Sequence, residues 1–156
     1  MGKIKYLVMD VDGTLTDGKI YMSPSGEAMK AFNIKDGCGI HDLLGPAGII
    51  PIIITSRKSS IVTNRCKEIG IKEVHQGVVN KLDKLSEITS MNLGEVAYIG
   101  DDINDLECMN NVVAEGGIVG CPADAVSGVR ALANYIAPHN GGDGAVRDFI
   151  EWLIQH

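Results

Sequence analysis

The chain has 156 residues, 45% of them hydrophobic and 22% charged, enough to bury one core and too few for two, so one domain is expected over residues 1–156. A formal net charge of −6 would repel polyanions, which argues against a nucleic-acid or anionic-lipid surface and leaves room for a small anionic ligand held by locally gathered cations. No run approaches the roughly 20 apolar residues of a membrane span or reads as a secretory leader, and the four cysteines, Cys38, Cys66, Cys108 and Cys121, form no CxxC pair, so a cytoplasmic protein with reduced, mostly buried thiols is expected.

In chain order, the first apolar run is YLVM (6–9), which reads as a strand buried on both faces and ends at DVDGT (10–14). The two carboxylates admit three readings: a calcium loop, an Asp/Gly turn or a catalytic pair. A calcium loop needs glycine at its sixth position and a bidentate glutamate at its twelfth. Counted from Asp10 the glycine comes fourth and the twelfth residue is Tyr21, so that reading fails. KIYMSPSGEAMKAF (19–32) then reads as strand, turn and strand, a β-hairpin over about residues 18–33 with an unpaired edge that another subunit could cover.

A helical pattern, GIHDLLGPAG (39–48), leads to the second apolar run, IIPIIIT (49–55). SSIVTNRCKEIG (59–70) and KLDKLSEITSM (81–91) are helical, VAYIG (96–100) is a third buried strand, and DLECMNNV (105–112) continues the alternation. In the last helix, GAVRDFIEWLI (144–154), Val146, Phe149, Ile150 and Leu153 share one face. Asp143 is a candidate N-cap, and NGGDG (140–144) before it is expected to be a flexible loop. Alternating strand and helix predicts an α/β fold with a mostly parallel sheet.

In such a sheet function gathers at the carboxyl ends of the strands, where Asp10, Thr55 and Gly100-Asp101 all fall. A second aspartate cluster, IGDDIND (99–105), would repel the first unless a cation lay between them, and all-oxygen ligands suit Mg²⁺. Aspartate nucleophile, hydroxyl, ammonium and Mg²⁺ are together the parts of phosphate-ester hydrolysis through an aspartyl-phosphate.

The four ordered pieces DVDGT, IIITS, NKLDKL and IGDDIND resemble those of the haloacid dehalogenase superfamily, a Rossmann-like three-layer sandwich. The resemblance implies Asp10 as nucleophile, Asp12 as general acid/base, and Thr55 and Lys81 as phosphoryl binders. It places Mg²⁺ on Asp10, the Asp12 carbonyl and Asp101, with Asp102 and Asp105 as outer or alternative ligands. DGKIYMSPSGEAMKAFNIKDGCGI, RKSSIVTNRCKEIGI, HQGVVNK, CPADA and GGDGAVRDF are similar more narrowly to the capless 3-deoxy-D-manno-octulosonate 8-phosphate phosphatases. There the hairpins of four subunits form a barrel and a neighbour closes each site, which implies a homotetramer. Carried over, Asn33, Ile34, Lys35, Asp36 and Gly37 line the substrate site, Arg57 and Arg65 meet the sugar acid or phosphate, and Arg147 reaches a neighbouring site.

Two positions depart from that pattern: Ser56 stands in place of the glycine of Thr-Gly-Arg, and His41 in place of an arginine. Both adjoin the implied substrate site, so a nonulosonate 9-phosphate, as in phosphatases of sialic-acid metabolism, is the alternative substrate. Two other classes compete: a silent assembly module of a sugar-nucleotide pathway, which would have no need of Asp10, Asp12, Lys81 and Asp101, and a phosphorylated receiver domain, which would have no need of the paired DVDGT. His75, His139 and His156 show no ligand spacing, and Trp152 is expected in core or interface packing.

Overall fold

The computed structural model describes residues 3–156. Its first strand, β1 (Tyr6–Met9), is central in a six-stranded sheet with β4 (Ile50–Ile54) and β5 (Glu73–His75) on one side and β6 (Val96–Ile99), β7 (Ile118–Cys121) and β8 (Tyr135–Ile136) on the other. Every pairing in that sheet is parallel. The chain builds outward from β1 through β4 to β5 and then returns to the far side of β1 as β6, so the direction of winding reverses beside β1. That reversal opens a crevice at the carboxyl ends of β1, β4 and β6.

Side chains alternate across the sheet and feed two cores. Leu7, Met9, Ile53 and Ile99 join Phe149 and Ile150 of α7 (Ala145–Gln155) and Val62 and Cys66 of α3 (Ser60–Glu68) on one face. Val8, Ile52, Ile54 and Tyr98 pack on the other face with Leu85 of α4 (Lys81–Ile88), Met109 and Val112 of α5 (Leu106–Ala114), and Val129 of α6 (Ser127–Leu132). Each fully buried side chain of this size stabilises the fold by about 1.5–3 kcal/mol. Tyr135 of β8, Phe149 and Trp152 of α7 and His156 just after it stack in series, so Trp152 is in packing, as expected. Among the described residues no helix is long and apolar enough to cross a membrane.

The hairpin forms its own two-stranded antiparallel sheet, β2 (Tyr21–Ser23) and β3 (Gly26–Met29), and carries exposed Ile20, Met22 and Met29. The helix expected from Gly39 starts earlier, as α1 (Ile34–Cys38), because Asn33 caps it: Asn33 Oδ1 accepts from the Lys35 N–H at 2.8 Å. A wide π-type turn over Gly39–Leu43 follows, then α2 (Leu44–Ala47), which stops at left-handed Gly48.

The start of α7 differs from expectation in two ways. Asp143 does not cap it; Gly144 occupies the cap position with no side-chain bond. A buried carboxylate from another helix does that work, with Asp36 Oδ1 accepting from the Arg147 N–H at 2.9 Å. Nor is NGGDG a detached loop. The Gly142 N–H donates to the Thr14 carbonyl at 3.1 Å, and a Cβ on Gly141 would overlap the Gly13 carbonyl, so the loop is seated on the turn that follows β1.

Candidate active site

The crevice holds a cleft of about 140 Å³ lined by Asp10, Asp12, Thr55, Ser56, Arg57, Asp102 and Asn104. Asp10, at the end of β1, is only 5% exposed. Lys81, the first residue of α4, is likewise 5% exposed, and its Nζ donates to Asp10 Oδ1 at 3.2 Å and to Asp105 Oδ1 at 3.0 Å. One oxygen each of Asp10, Asp101 and Asp105 lie within 4.8 Å of one another. DVDGT, NKLDKL and IGDDIND, far apart in sequence, thus converge on one point.

Asp105 differs in kind from the other two. Its Oδ1 also accepts from the buried Tyr98 hydroxyl at 2.7 Å, and its Oδ2 accepts from the N–H groups of Asp101 and Asp102 at 3.0 and 3.2 Å. With both oxygens engaged, Asp105 holds Lys81 and shapes the loop, which leaves Asp10 and Asp101 the less engaged of the three candidate ligands. Asp102 caps the short 3₁₀ turn Ile103–Asp105 through its own Oδ1. Thr14 donates its hydroxyl to Asp101 Oδ1 at 3.2 Å. Gly13 is left-handed, with φ +88°, and a Cβ there would overlap Asp101 Oδ2, so only glycine allows the two acidic loops to approach this closely.

The electrostatics call for a cation. Burial first, then Asp105, pushes the Asp10 carboxyl up to about 6, even against the opposing pull of Lys81. Burial, Asp10 and Asp105 push Asp101 up to about 8. For Lys81, burial works against the charge, but the carboxylates of Asp10 and Asp105 outweigh it and hold the ammonium above the ordinary lysine range. One ammonium among three close carboxylates leaves negative charge uncompensated. Its donors are all oxygen, which is the chemistry of a hard divalent ion such as Mg²⁺.

A second polar cluster borders the cleft from the hairpin. Lys30 Nζ donates to Asp12 Oδ1 at 2.5 Å and to Glu27 Oε2 at 3.0 Å. Burial opposes its charge, but the two carboxylates outweigh that and raise the Lys30 ammonium above its ordinary range. Glu27 Oε1 accepts from the Ser59 hydroxyl at 2.8 Å, and Arg57 approaches Glu27 Oε2 at 3.5 Å.

The remaining sequence-predicted substrate residues do not line this cleft within one chain. Asn33 and the Lys35 N–H are engaged in the α1 cap, Ile34 is 82% exposed, and Asp36 caps α7. Gly37 packs against the Arg65 guanidinium, and Arg65 itself pairs with Glu68 at 3.1 Å and lies over the Phe32 ring. His41 is exposed and bonded to Asp42 at 2.6 Å. Arg147 pairs with Glu151 at 2.6 Å and donates to the Lys35 carbonyl. Gly37, His41 and Arg65 border a separate shallow groove. Sequence reasoning did not single out Lys30, Glu27, Tyr98, Thr14 or Asn104; Thr14 and Asn104 could have been noticed inside DVDGT and IGDDIND, whereas the roles of the others depend on contacts across the fold.

No protein-family model matches the chain. It is 40% identical over 154 residues to the 3-deoxy-D-manno-octulosonate 8-phosphate phosphatase KdsC of Escherichia coli (strain K12), an alignment covering 97% of this chain and 79% of the relative. The Yersinia pestis protein of the same name is 37% identical over 154 residues, with coverage of 97% and 80%. Among solved structures, the Moraxella catarrhalis 3-deoxy-D-manno-octulosonate 8-phosphate phosphatase, in complex with a magnesium ion, a phosphate ion and a KDO molecule, superposes with a TM-score of 0.87 at 39% identity, over 97% of this chain and 86% of that one. The cobalt-bound Haemophilus influenzae deoxy-D-mannose-octulosonate 8-phosphate phosphatase gives a TM-score of 0.86 at 33% identity, over 98% and 88% of the two chains. Such identity, sustained along a chain whose sheet brings an aspartate nucleophile candidate, a lysine and an acidic loop to one cleft, places this protein in the 3-deoxy-D-manno-octulosonate 8-phosphate phosphatase family of the haloacid dehalogenase superfamily.

Proposed function

We infer that the chain is a Mg²⁺-dependent phosphoric monoester hydrolase that removes the terminal phosphate of 3-deoxy-D-manno-octulosonate 8-phosphate, as the names and contents of its relatives support. The observation that carries the reading is the buried Asp10 at the end of the central strand, with a lysine ammonium at 3.2 Å and a second acidic loop converging on it. In this mechanism the free oxygen of Asp10 attacks phosphorus, and the bond from phosphorus to the terminal sugar oxygen breaks. Asp12 gives its proton to that oxygen. Water then attacks the aspartyl-phosphate, Asp12 takes up the water's proton, and phosphate leaves with Asp10 restored. The Thr55 hydroxyl and the Lys81 ammonium hold the charge of the transferring phosphoryl group. Asp10, Asp101 and the Asp12 carbonyl would hold Mg²⁺, which would supply positive charge against the phosphoryl oxygens.

A cleft of about 140 Å³ accommodates a phosphate but falls below the roughly 300–1,000 Å³ of ordinary ligand pockets. Closure by another copy follows naturally, and the exposed Ile20, Met22 and Met29 of the hairpin offer the apolar surface for it, so the same reading includes a homotetramer. In that assembly Asn33 to Gly37, His41, Arg65 and Arg147 border the sugar across the subunit boundary. Light scattering should give four times the 16.6 kDa of the chain; a stable monomer would contradict the shared site. The reading also takes the chain as one phosphatase domain working in the cytoplasm, whose reducing conditions suit four free cysteines.

The decisive test is kcat/KM with Mg²⁺ across a panel of octulosonate 8-phosphate, two nonulosonate 9-phosphates and simple hexose phosphates. A buried site that pairs polar groups of the right sugar discriminates strongly, so octulosonate 8-phosphate should lead the hexose phosphates by about 10²-fold or more. A leading nonulosonate would move the assignment to nine-carbon acids, and equal low rates across the panel would remove the sugar-acid assignment altogether.

A further inference from the structure

The hairpin reaches into the active site through one side chain. Lys30 directly follows β3, and its side chain is only 3% exposed, wedged between Asp12 and Glu27. Burying an ammonium costs several kcal/mol unless its partners are well placed, and here both partners are carboxylates on different segments. Asp12 Oδ1 accepts from Lys30, while Oδ2 has no protein partner among the described residues. Glu27 is in turn fixed by the Ser59 hydroxyl on its other oxygen, so the lysine is clamped from behind. With Oδ1 engaged by the ammonium, Oδ2 is the Asp12 oxygen left to exchange a proton with a group in the cleft.

We propose that Lys30 is a positioning residue of the catalytic step: it fixes the Asp12 side chain with Oδ1 occupied and Oδ2 presented to the cleft, and Glu27 holds Lys30 in that place. This rests on Asp12 serving as the proton donor, and it makes the hairpin part of the chemistry of its own subunit as well as a surface for assembly.

Leaving groups separate this role from simple support of the fold. An alkyl oxygen needs a proton as it leaves and a p-nitrophenolate does not, so kcat/KM, which reports steps up to aspartyl-phosphate formation, should respond to the two esters differently. Lys30→Met should lower kcat/KM on the sugar-acid phosphate by about 30- to 100-fold, within the usual range for proton transfer, and on p-nitrophenyl phosphate by less than about 3-fold. Lys30→Arg, which keeps the charge and donors, should recover most of the loss. In the Asp12→Asn background Lys30→Met should add nothing, because a residue acting only through Asp12 is silent once Asp12 is gone. Equal losses on both esters, or a full additional loss in the double variant, would overturn the proposal. Asp12→Asn is the control for the underlying reading: if it shows no leaving-group dependence, the proton-donor assignment fails, whereas if it does and Lys30→Met does not, only the role of Lys30 fails. Should Lys30→Met not fold, Lys30→Gln with its smaller change in polarity carries the same comparison against Lys30→Arg.

Discussion

Asp10→Asn is expected to lower kcat by a factor on the order of 10⁴–10⁶, the scale seen when a nucleophile acting within a catalytic unit is removed, with the fold intact. The two side chains have the same shape, but an amide oxygen cannot form the covalent phosphoryl intermediate. The fold survives for an electrostatic reason. Burial and Asp105 already push the Asp10 carboxyl up to about 6, so its charge is a burden on the cation-free folded state. The asparagine oxygen can still accept from Lys81, which also keeps Asp105 at 3.0 Å. Phosphate release followed by a colorimetric assay, alongside a thermal melt in EDTA, checks both halves: activity should vanish, and the melting temperature should equal or exceed that of the unaltered chain. Near-normal phosphate release would mean that water attacks the ester directly and that Asp10 is only a ligand.

The same site shows why some of the molecule was legible in sequence and some was not. Strands β1, β4 and β6 are buried on both faces and appear as short apolar runs ending in chemistry-bearing residues, so Asp10, Thr55 and Asp101 could be placed at one sheet edge from pattern alone. Strand β5 holds a single aliphatic residue, Val74, between polar neighbours, β8 is two residues long, and β7 includes Gly120; edge position and interrupted apolarity hid them. The start of α1 was readable, since Asn33 followed three residues later by Asp36 is a capping pattern, yet the resemblance drew attention to those residues as ligands. What no local rule reveals is a contact across the fold. Asp36 caps a helix more than a hundred residues away, and Lys30 meets Asp12 only because the hairpin folds back over the strand end.

Removing the divalent cation should make stability fall as pH rises. In the cation-free fold, Asp10 stands near 6 and Asp101 near 8 against an ordinary value of 3.8, burial being the largest cause in both. A carboxyl whose folded pKa is raised stabilises the fold while it is protonated. That contribution is complete below about pH 4 and is lost as pH climbs through about 6 for Asp10 and then about 8 for Asp101. In EDTA the melting temperature should therefore decline between pH 5 and about 8.5, as the ionising cluster repels itself with the single ammonium of Lys81 bonded to it among the described residues. Mg²⁺ reverses the trend, because it binds the ionised carboxylates and competes with their protons. At a hundredfold excess over its dissociation constant a ligand adds about 2.7 kcal/mol, which for a domain of this size raises the melting temperature by about 5–10 °C. That gain should be near its full value at pH 8 and small at pH 5, and phosphate release should vanish in EDTA and return with Mg²⁺. A Mg²⁺-induced shift that is the same at both pH values would separate the cation from Asp10 and Asp101, and Asp101→Asn, which removes one of the two ionising ligands, should flatten the pH dependence in EDTA while weakening the response to Mg²⁺.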